Sequence, residues 1–336
     1  MKKYFWFLLL PVLIFAGCKD KVKDDQLLPN VTGKSGEVVL VIDGDEWDNS
    51  VGYEFRKKLT VAHPALPQVE PLFDLVHIPY SAFNNIFKTH RNLVLAKVSS
   101  EYEESKILIQ RNVHSKPQFV ANVIAPDDSS MAQLIREKGD LLVHKLLEAE
   151  RKRHMNNYKK YEAKGLQEAM KKKFDASLVL PAGYKLVVDT TNFQWFEHET
   201  PEVTSGVFLY SYPHPAPVFS TDLLVEKRNE FTKKYVPGGP AGSYVTIEKR
   251  LDPYLRKVTI DNETMLEMRG LWRVENDFMG GPFISLSVYD TLNKRVVTAD
   301  GFVYAPQFDK RDYLRQVEAA VYSLTLNQKG KNESTD

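Results

Sequence analysis

A chain of 336 residues with a single cysteine, Cys18, has no internal disulfide, no CxxC redox pair and no thiolate zinc site. Its stability must come from a packed core. Charge of one sign is also lacking: 45 Lys and Arg stand against 44 Asp and Glu, a formal net charge of +1. Nothing in the chain as a whole draws it to nucleic acid or to anionic lipid. The eight histidines form no HExxH pair. There is no GxSxG elbow, no Ser-x-x-Lys pair and no Walker loop, so a metalloprotease, a nucleophilic hydrolase and a nucleotide enzyme all lack a motif. The expectation is no metal site, no cofactor and no catalytic residue visible as a motif. Past residue 17 no apolar run approaches the length of about 20 residues that a bilayer span needs.

What is present begins at the first residue. Lys2 and Lys3 form a positive start, residues 4–15 an apolar stretch, and Ala16 and Gly17 a small-residue pair ahead of Cys18, the layout of a secretory signal. The stretch carries Pro11 and is too short to span comfortably. Ile14-Phe15-Ala16-Gly17-Cys18 resembles the bacterial lipobox. That resemblance implies removal of residues 1–17 and lipidation of Cys18, which becomes the first residue. Each buried methylene contributes about 0.8 kcal/mol, so two or more acyl chains hold a protein stably in a membrane. Lys19, rather than aspartate, follows the lipid-bearing position. By the same resemblance this favours the outer membrane. Residues 18–36 then read as the lipidated Cys and a flexible tether, the tether spanning about 23 Å as a coil.

Residues 37–42, EVVLVI, are a β-branched run of strand length, and Trp47, Val51, Phe55 and Leu59 recur at helical spacing after a turn. The carboxylates of Asp43, Asp45, Glu46 and Asp48 suit a helix start better than a calcium loop, because Trp47 stands where an oxygen ligand is needed and Asp48 where Gly is. Strands follow over 73–78, 92–98, 106–113 and 118–125. Asp127 opens a helix with Met131, Leu134, Ile135, Leu141, Leu142, Leu146 and Ala149 as its apolar stripe, continuing to 164 with Gly165 as its break. Beyond it come strands over 178–180, 184–188 and 207–212, a helix over 221–235, strands over 265–274, 283–289 and 295–305, and a helix over 309–326. Residues 118–147 and 297–324 share one plan: apolar strand, Ala-Pro, acidic turn, amphipathic helix. The fold expected is α+β in two related halves, 37–174 and 175–328, each a mainly antiparallel sheet backed by helices. The second half carries an insertion near 213–282, and a disordered tail occupies 329–336.

Two stretches are candidate binding surfaces. Between 151 and 173 nine basic residues, ending in Lys171, Lys172 and Lys173, stand against Glu162 and Glu168. They would meet anionic lipid or an acidic envelope polymer, or else form a solvated helix face with Tyr158, Met170 and Phe174 packed on the other side. The turn holding Asp277, Phe278 and Met279 precedes Gly280 and Gly281, which permit positive φ and close backbone approach. It would present Phe278 and Met279 to a partner or tuck them under the sheet. Glu197-His198-Glu199 is the densest trio of ligand-type residues, but strand alternation sends its members to opposite faces. The glycines of 238–242 lack the context of a phosphate cradle and read as a loop.

The lipobox, EVVLVIDGDEW, LPQVEPLFDLVHI, His90-Arg91-Asn92 at a strand entry and NDFMGGPFISLSVYD together resemble a family of Bacteroidota lipoproteins, domain of unknown function 4837. The resemblance covers most of the chain after the signal, implies an envelope lipoprotein and supplies no catalytic residue. The reading that follows is a binding or scaffold protein of the cell envelope, attached through its N-terminal lipid, with an envelope protein or an anionic polymer as partner. The alternative is an envelope enzyme acting on glycan or peptide with carboxylates brought together from distant strands.

Overall fold

The structure, a computed structural model, describes residues 28–217 and 220–327. The signal segment, Cys18, residues 19–27 of the tether and the tail lie outside the described residues. Within the described residues the fold is α+β in two halves.

The first half runs β1 (Glu37–Val41), α1 (Gly44–Asp48), α2 (Ser50–Leu59), β2 (Asp74–Ile78), α3 (Asn85–Lys88), β3 (Asn92–Val98), β4 (Lys106–Arg111), β5 (Phe119–Ala125) and α4 (Asp128–Lys160). Its sheet has the order β2-β1-β3-β5-β4. β1 is parallel to β2 and β3, β3 is parallel to β5, and only edge strand β4 is antiparallel. The expectation of a mainly antiparallel sheet therefore fits the second half and not the first. The reason lies in EVVLVI, which is buried on both faces, as strands of parallel sheets are. Val38 and Leu40 pack towards α2 and α4, while Val39 and Val41 join Leu93 and Val120 beneath Tyr80, Phe83 and Phe87. The single helix expected after β1 is two, broken at Asn49, whose side chain accepts from Val51 N and caps α2. α4 starts where Asp127 accepts from Ser130 N at 2.8 Å. It ends at Lys160 rather than Lys164, and Gly165 lies inside the next helix.

The second half comprises α5 (Lys164–Phe174), β6 (Ala176–Ser177), β7 (Lys185–Asp189), β8 (Phe193–Glu199), β9 (Thr204–Pro213), α6 (Thr221–Tyr235), β10 (Val245–Ile247), β11 (Tyr254–Ile260), β12 (Glu263–Val274), β13 (Gly280–Asp290), β14 (Arg295–Tyr304), α7 (Arg311–Val321) and β15 (Thr325–Leu326). Eight strands form one curled antiparallel sheet, β10-β12-β13-β14-β9-β8-β7, with β11 also on β12. The stretch 213–282 supplies α6 and β10 to β12, so it is hydrogen-bonded into this sheet. Leu314, Val317 and Val321 of α7 and Met170 and Phe174 of α5 pack on one face, against Phe196, Leu209, Ile284 and Val297. The other face, with Phe193, Phe208, Tyr210, Phe283 and Phe302, receives Leu224 and Phe231 of α6. The shared plan of 118–147 and 297–324 survives as β5-α4 and β14-α7, but one strand sits in a parallel arrangement and the other in an antiparallel one.

α4 and α7 pack against each other and join the halves. Buried Glu70 caps α7, accepting from Lys310 N at 2.7 Å and Arg311 N at 2.9 Å. Arg311 reaches back to Asp74, and Arg315 to the Leu72 carbonyl. The LPQVEPLFD stretch is thus the socket for the last helix. Below it, Arg151 and Arg269 hold Glu318, and Arg269, Arg256 and Tyr322 hold Glu267. No helix among the described residues is long and apolar enough to cross a membrane.

Candidate functional site

The face of the curled sheet that carries α6 is only partly covered, and what it leaves open is a cavity of about 200 Å³. Strand register assembles its floor and one wall. Trp195, Glu197 and Glu199 of β8 lie opposite Phe208, Gly206 and Thr204 of β9. Gly206 and Thr204 in turn lie opposite Phe302 and Tyr304 of β14. Trp272 of β12 and Met279 supply the far wall, and residues 236–239, which leave the end of α6, form the cover. The cover is tied down by Val245 N donating to Val236 O at 3.1 Å and Gly238 N to Ser243 O at 2.9 Å.

Glycine makes room for the rings. A Cβ on Gly206 would lie 2.0 Å from Phe302 Cε1, and one on Gly281 would lie 2.2 Å from the Val303 carbonyl and 3.1 Å from Trp272 Nε1. Phe302 therefore crosses over β9 where no side chain stands, and Trp272 meets its edge at 5.7 Å and 79°. Trp195 meets Phe208 edge-on at 5.8 Å, and Phe208 stacks on Phe302 at 5.1 Å. Edge-to-face and offset rings of this kind hold one another in place. α6 is pinned over the same sheet by Arg228, which grips Asp300 with both partners fully buried.

Polar groups are few: two buried indole N–H groups, and carboxylates at the more exposed end. Trp272 Nε1 donates to Val303 O at 3.3 Å, whereas Trp195 Nε1 has no partner among the described residues. Burial, and after it the neighbouring Glu199, push the Glu197 carboxyl above its ordinary range. His198 points away and stacks on Tyr184 at 5.7 Å, which separates the Glu-His-Glu trio as strand alternation requires. No group of three or more His, Cys, Asp or Glu suited to a metal occurs among the described residues. The arrangement suits an apolar or aromatic body held between rings, with carboxylates where the body meets solvent.

The residues singled out from sequence divide. Asp277, Phe278 and Met279 form the turn from β12 to β13, where Asn276 takes φ +63°. Phe278 is fully exposed, while half-buried Met279 lines the cavity. Gly280 and Gly281 do not adopt positive φ; they are strand residues whose missing side chains allow close approach. Lys171 and Lys172 lie exposed on α5 above buried Met170 and Phe174, and Lys173 pairs with Asp189. Arg151 and Arg153, from the same basic run, turn inward to Glu318 and to Glu150. A wide polar groove of about 890 Å³ beside α4 includes Lys145, Lys152, Lys159 and Lys257, but its arginines, Arg151 and Arg256, are already held by Glu318 and Glu267. Cys18 lies outside the described residues. Trp195, Trp272, Phe302 and Tyr304 were not singled out from sequence, because they come together from three strands, β8, β12 and β14. The usable signals were the alternation in 195–199 and the glycines at 238–239.

Residues 148–323 match the family described as domain of unknown function (DUF4837), and residues 31–159 match a second domain of unknown function (DUF8532). The two matches overlap within α4, the helix that both halves share. No curated protein matches the sequence. Among solved structures, the Saccharomyces cerevisiae Ran-binding protein Mog1p has 6% identity and a TM-score of 0.31, over 46% of this chain and 91% of its own. The human StarD13 lipid transfer and protein localization domain has 13% identity and a TM-score of 0.18, over 48% and 92%. Likenesses this slight carry no argument.

Proposed function

Because the chain belongs to the DUF4837 family, a domain of unknown function, its role must be read from its own geometry, and we propose that it is an envelope lipoprotein that binds a small ligand in the aromatic cavity of its curled sheet. The observation that carries this reading is the cavity itself: rings from β8, β9, β12 and β14 around about 200 Å³, under a cover that follows α6. Ligand sites are commonly apolar hollows with a few directed polar groups. Lipidation of Cys18 would hold this body at the membrane, on the outer membrane if Lys19 is read as above, with the site near the bilayer. Saturable quenching of tryptophan fluorescence by a small ligand, lost in Trp272→Ala with the far-UV spectrum unchanged, is the expected result. Quenching that persists in that variant would remove the cavity from consideration. For the anchor, incorporation of an acyl-chain analogue into the wild type and none into Cys18→Ala is expected. Equal labelling of both would end the lipoprotein reading.

A second reading, an enzyme acting on glycan, draws on the elevated carboxyl of Glu197 beside Glu199. Paired carboxylates that cleave a glycosidic bond flank it from opposite sides. Glu197 and Glu199 stand two residues apart on the same face of one strand. We therefore favour binding over hydrolysis.

A further inference from the structure

We propose that the ligand of the cavity is an organic cation, an ammonium group carried on an apolar or aromatic body, with the body between Trp195 and Trp272 over Phe302 and the charge at Glu197 and Glu199. The inference rests on the reading of the cavity as a ligand site and adds the ligand's charge to it.

Three observations carry it. The walls are ring faces and edges of Trp195, Phe208, Trp272, Phe302 and Tyr304, and aromatic faces attract cations, tryptophan most strongly. The only acidic side chains lining the cavity among the described residues are Glu197 and Glu199. Both extend from β8 towards the same face, at Cα atoms about 6.6 Å apart along an extended strand. No cation among the described residues forms an ion pair with either carboxylate, and exposed Lys185, the cross-strand neighbour of Glu197, does not close on it. An anion would meet two like charges at the mouth. A neutral ligand would leave two carboxylates, one of them half-buried, without compensation. A cation offsets, by its attraction, both the burial penalty and the repulsion from Glu199 that act on the Glu197 carboxylate.

The test uses full-length protein in mild detergent and three probes of similar shape: benzyltrimethylammonium, benzyl alcohol and benzoate. Binding is read by calorimetry and by tryptophan fluorescence. Benzyltrimethylammonium is expected to bind about tenfold more tightly than the alcohol, and benzoate not to bind. Glu197→Gln with Glu199→Gln should weaken the cation about tenfold and leave the alcohol unchanged, with the single change at exposed Glu199 intermediate. Trp272→Ala should weaken cation and alcohol alike. If the alcohol matches the cation and the double variant alters neither, the charge assignment falls while the cavity remains a ligand site. If no probe binds, or binding survives Trp272→Ala, the cavity reading falls and the cation with it.

Discussion

The cover of the cavity follows α6, and a fully buried ion pair joins the apolar contacts that hold α6 to the sheet. Arg228 Nε and Nη2 reach Asp300 Oδ2 and Oδ1 at 2.8 and 3.1 Å, both side chains at 0% exposure, with the guanidinium carbon 3.8 Å from the centre of the Phe283 ring. Burial holds the Asp300 carboxyl above its ordinary range despite the arginine beside it. Arg228→Met keeps an unbranched apolar stem and removes the guanidinium, leaving a buried carboxylate without a cation, at an expected cost of about 3 to 5 kcal/mol at pH 8. The pH dependence follows from the sign of the shift. A carboxyl whose folded pKa is raised destabilises the fold increasingly as pH rises above its unfolded value, and the penalty fades as pH falls. Protonation caps that penalty at about 1.4 kcal/mol per pH unit above an unfolded pKa of about 3.9, so at pH 5 the deficit should shrink to about 1.5 kcal/mol. Arg228→Met with Asp300→Leu removes both charges and should recover most of the loss. Urea unfolding of full-length protein in detergent, followed by circular dichroism at both pH values, measures the wild type and both variants. A single-variant deficit under about 1 kcal/mol at pH 8, one equal at pH 5 and pH 8, or a double variant no better than the single would refute the reasoning.

Three further outcomes are expected. Gly206→Ala drives a methyl group into the Phe302 ring and should cost about 1 to 3 kcal/mol by overpacking, together with ligand binding; a neutral effect on the melting temperature would contradict the ring placement. Glu70→Ala removes the acceptor for Lys310 and Arg311 N–H at the start of α7, with a loss of about 1 to 2 kcal/mol in denaturant unfolding. Acid should loosen the contact between α4 and α7. Burial alone would raise Glu267, but Arg269 and Arg256 hold it down at about 2, and Glu318 is likewise depressed by Arg269 and Arg151. Stability from these groups is fully present above about pH 4.5 and is lost as pH falls towards 2. Hydrogen exchange along α7 should rise over that interval, and a flat profile would argue against the network.

How much of this was readable in the chain depends on how far each residue's partners lie. α6 is found at 221–235, where the pattern put it, because Leu224 and Phe231 already mark its buried face. Asp127 announced the start of α4 because a cap and the helix it serves are neighbours. The direction of β1 was not readable. EVVLVI looks the same in either sheet type until the covering of both faces by α2, α4 and the 80–87 segment is known. Three charged residues of α7, Arg311, Arg315 and Glu318, are buried, which its pattern gave no reason to expect. Two of them answer to Leu72 and Asp74, more than 230 residues earlier.

The cavity was hidden for the same reason, carried further. Each of its rings is ordinary on its own strand, where an inward-facing aromatic reads as core. What turns core positions into a cavity is the set of side chains that are missing or displaced: Gly206 under Phe302, Gly281 beside Trp272, and a cover of Pro237, Gly238 and Gly239 instead of a further turn of α6. Glycine in a strand interior weakens the strand unless another group needs the space. Here the space at Gly206 is taken by a ring, and the ring becomes a floor. The two glutamates then become informative in a way their sequence neighbours are not. On a solvent-facing strand, Glu-His-Glu is unremarked polarity. Beside an aromatic hollow, and with no cation paired to them among the described residues, two carboxylates on one face are what motivates the proposal of a cationic ligand.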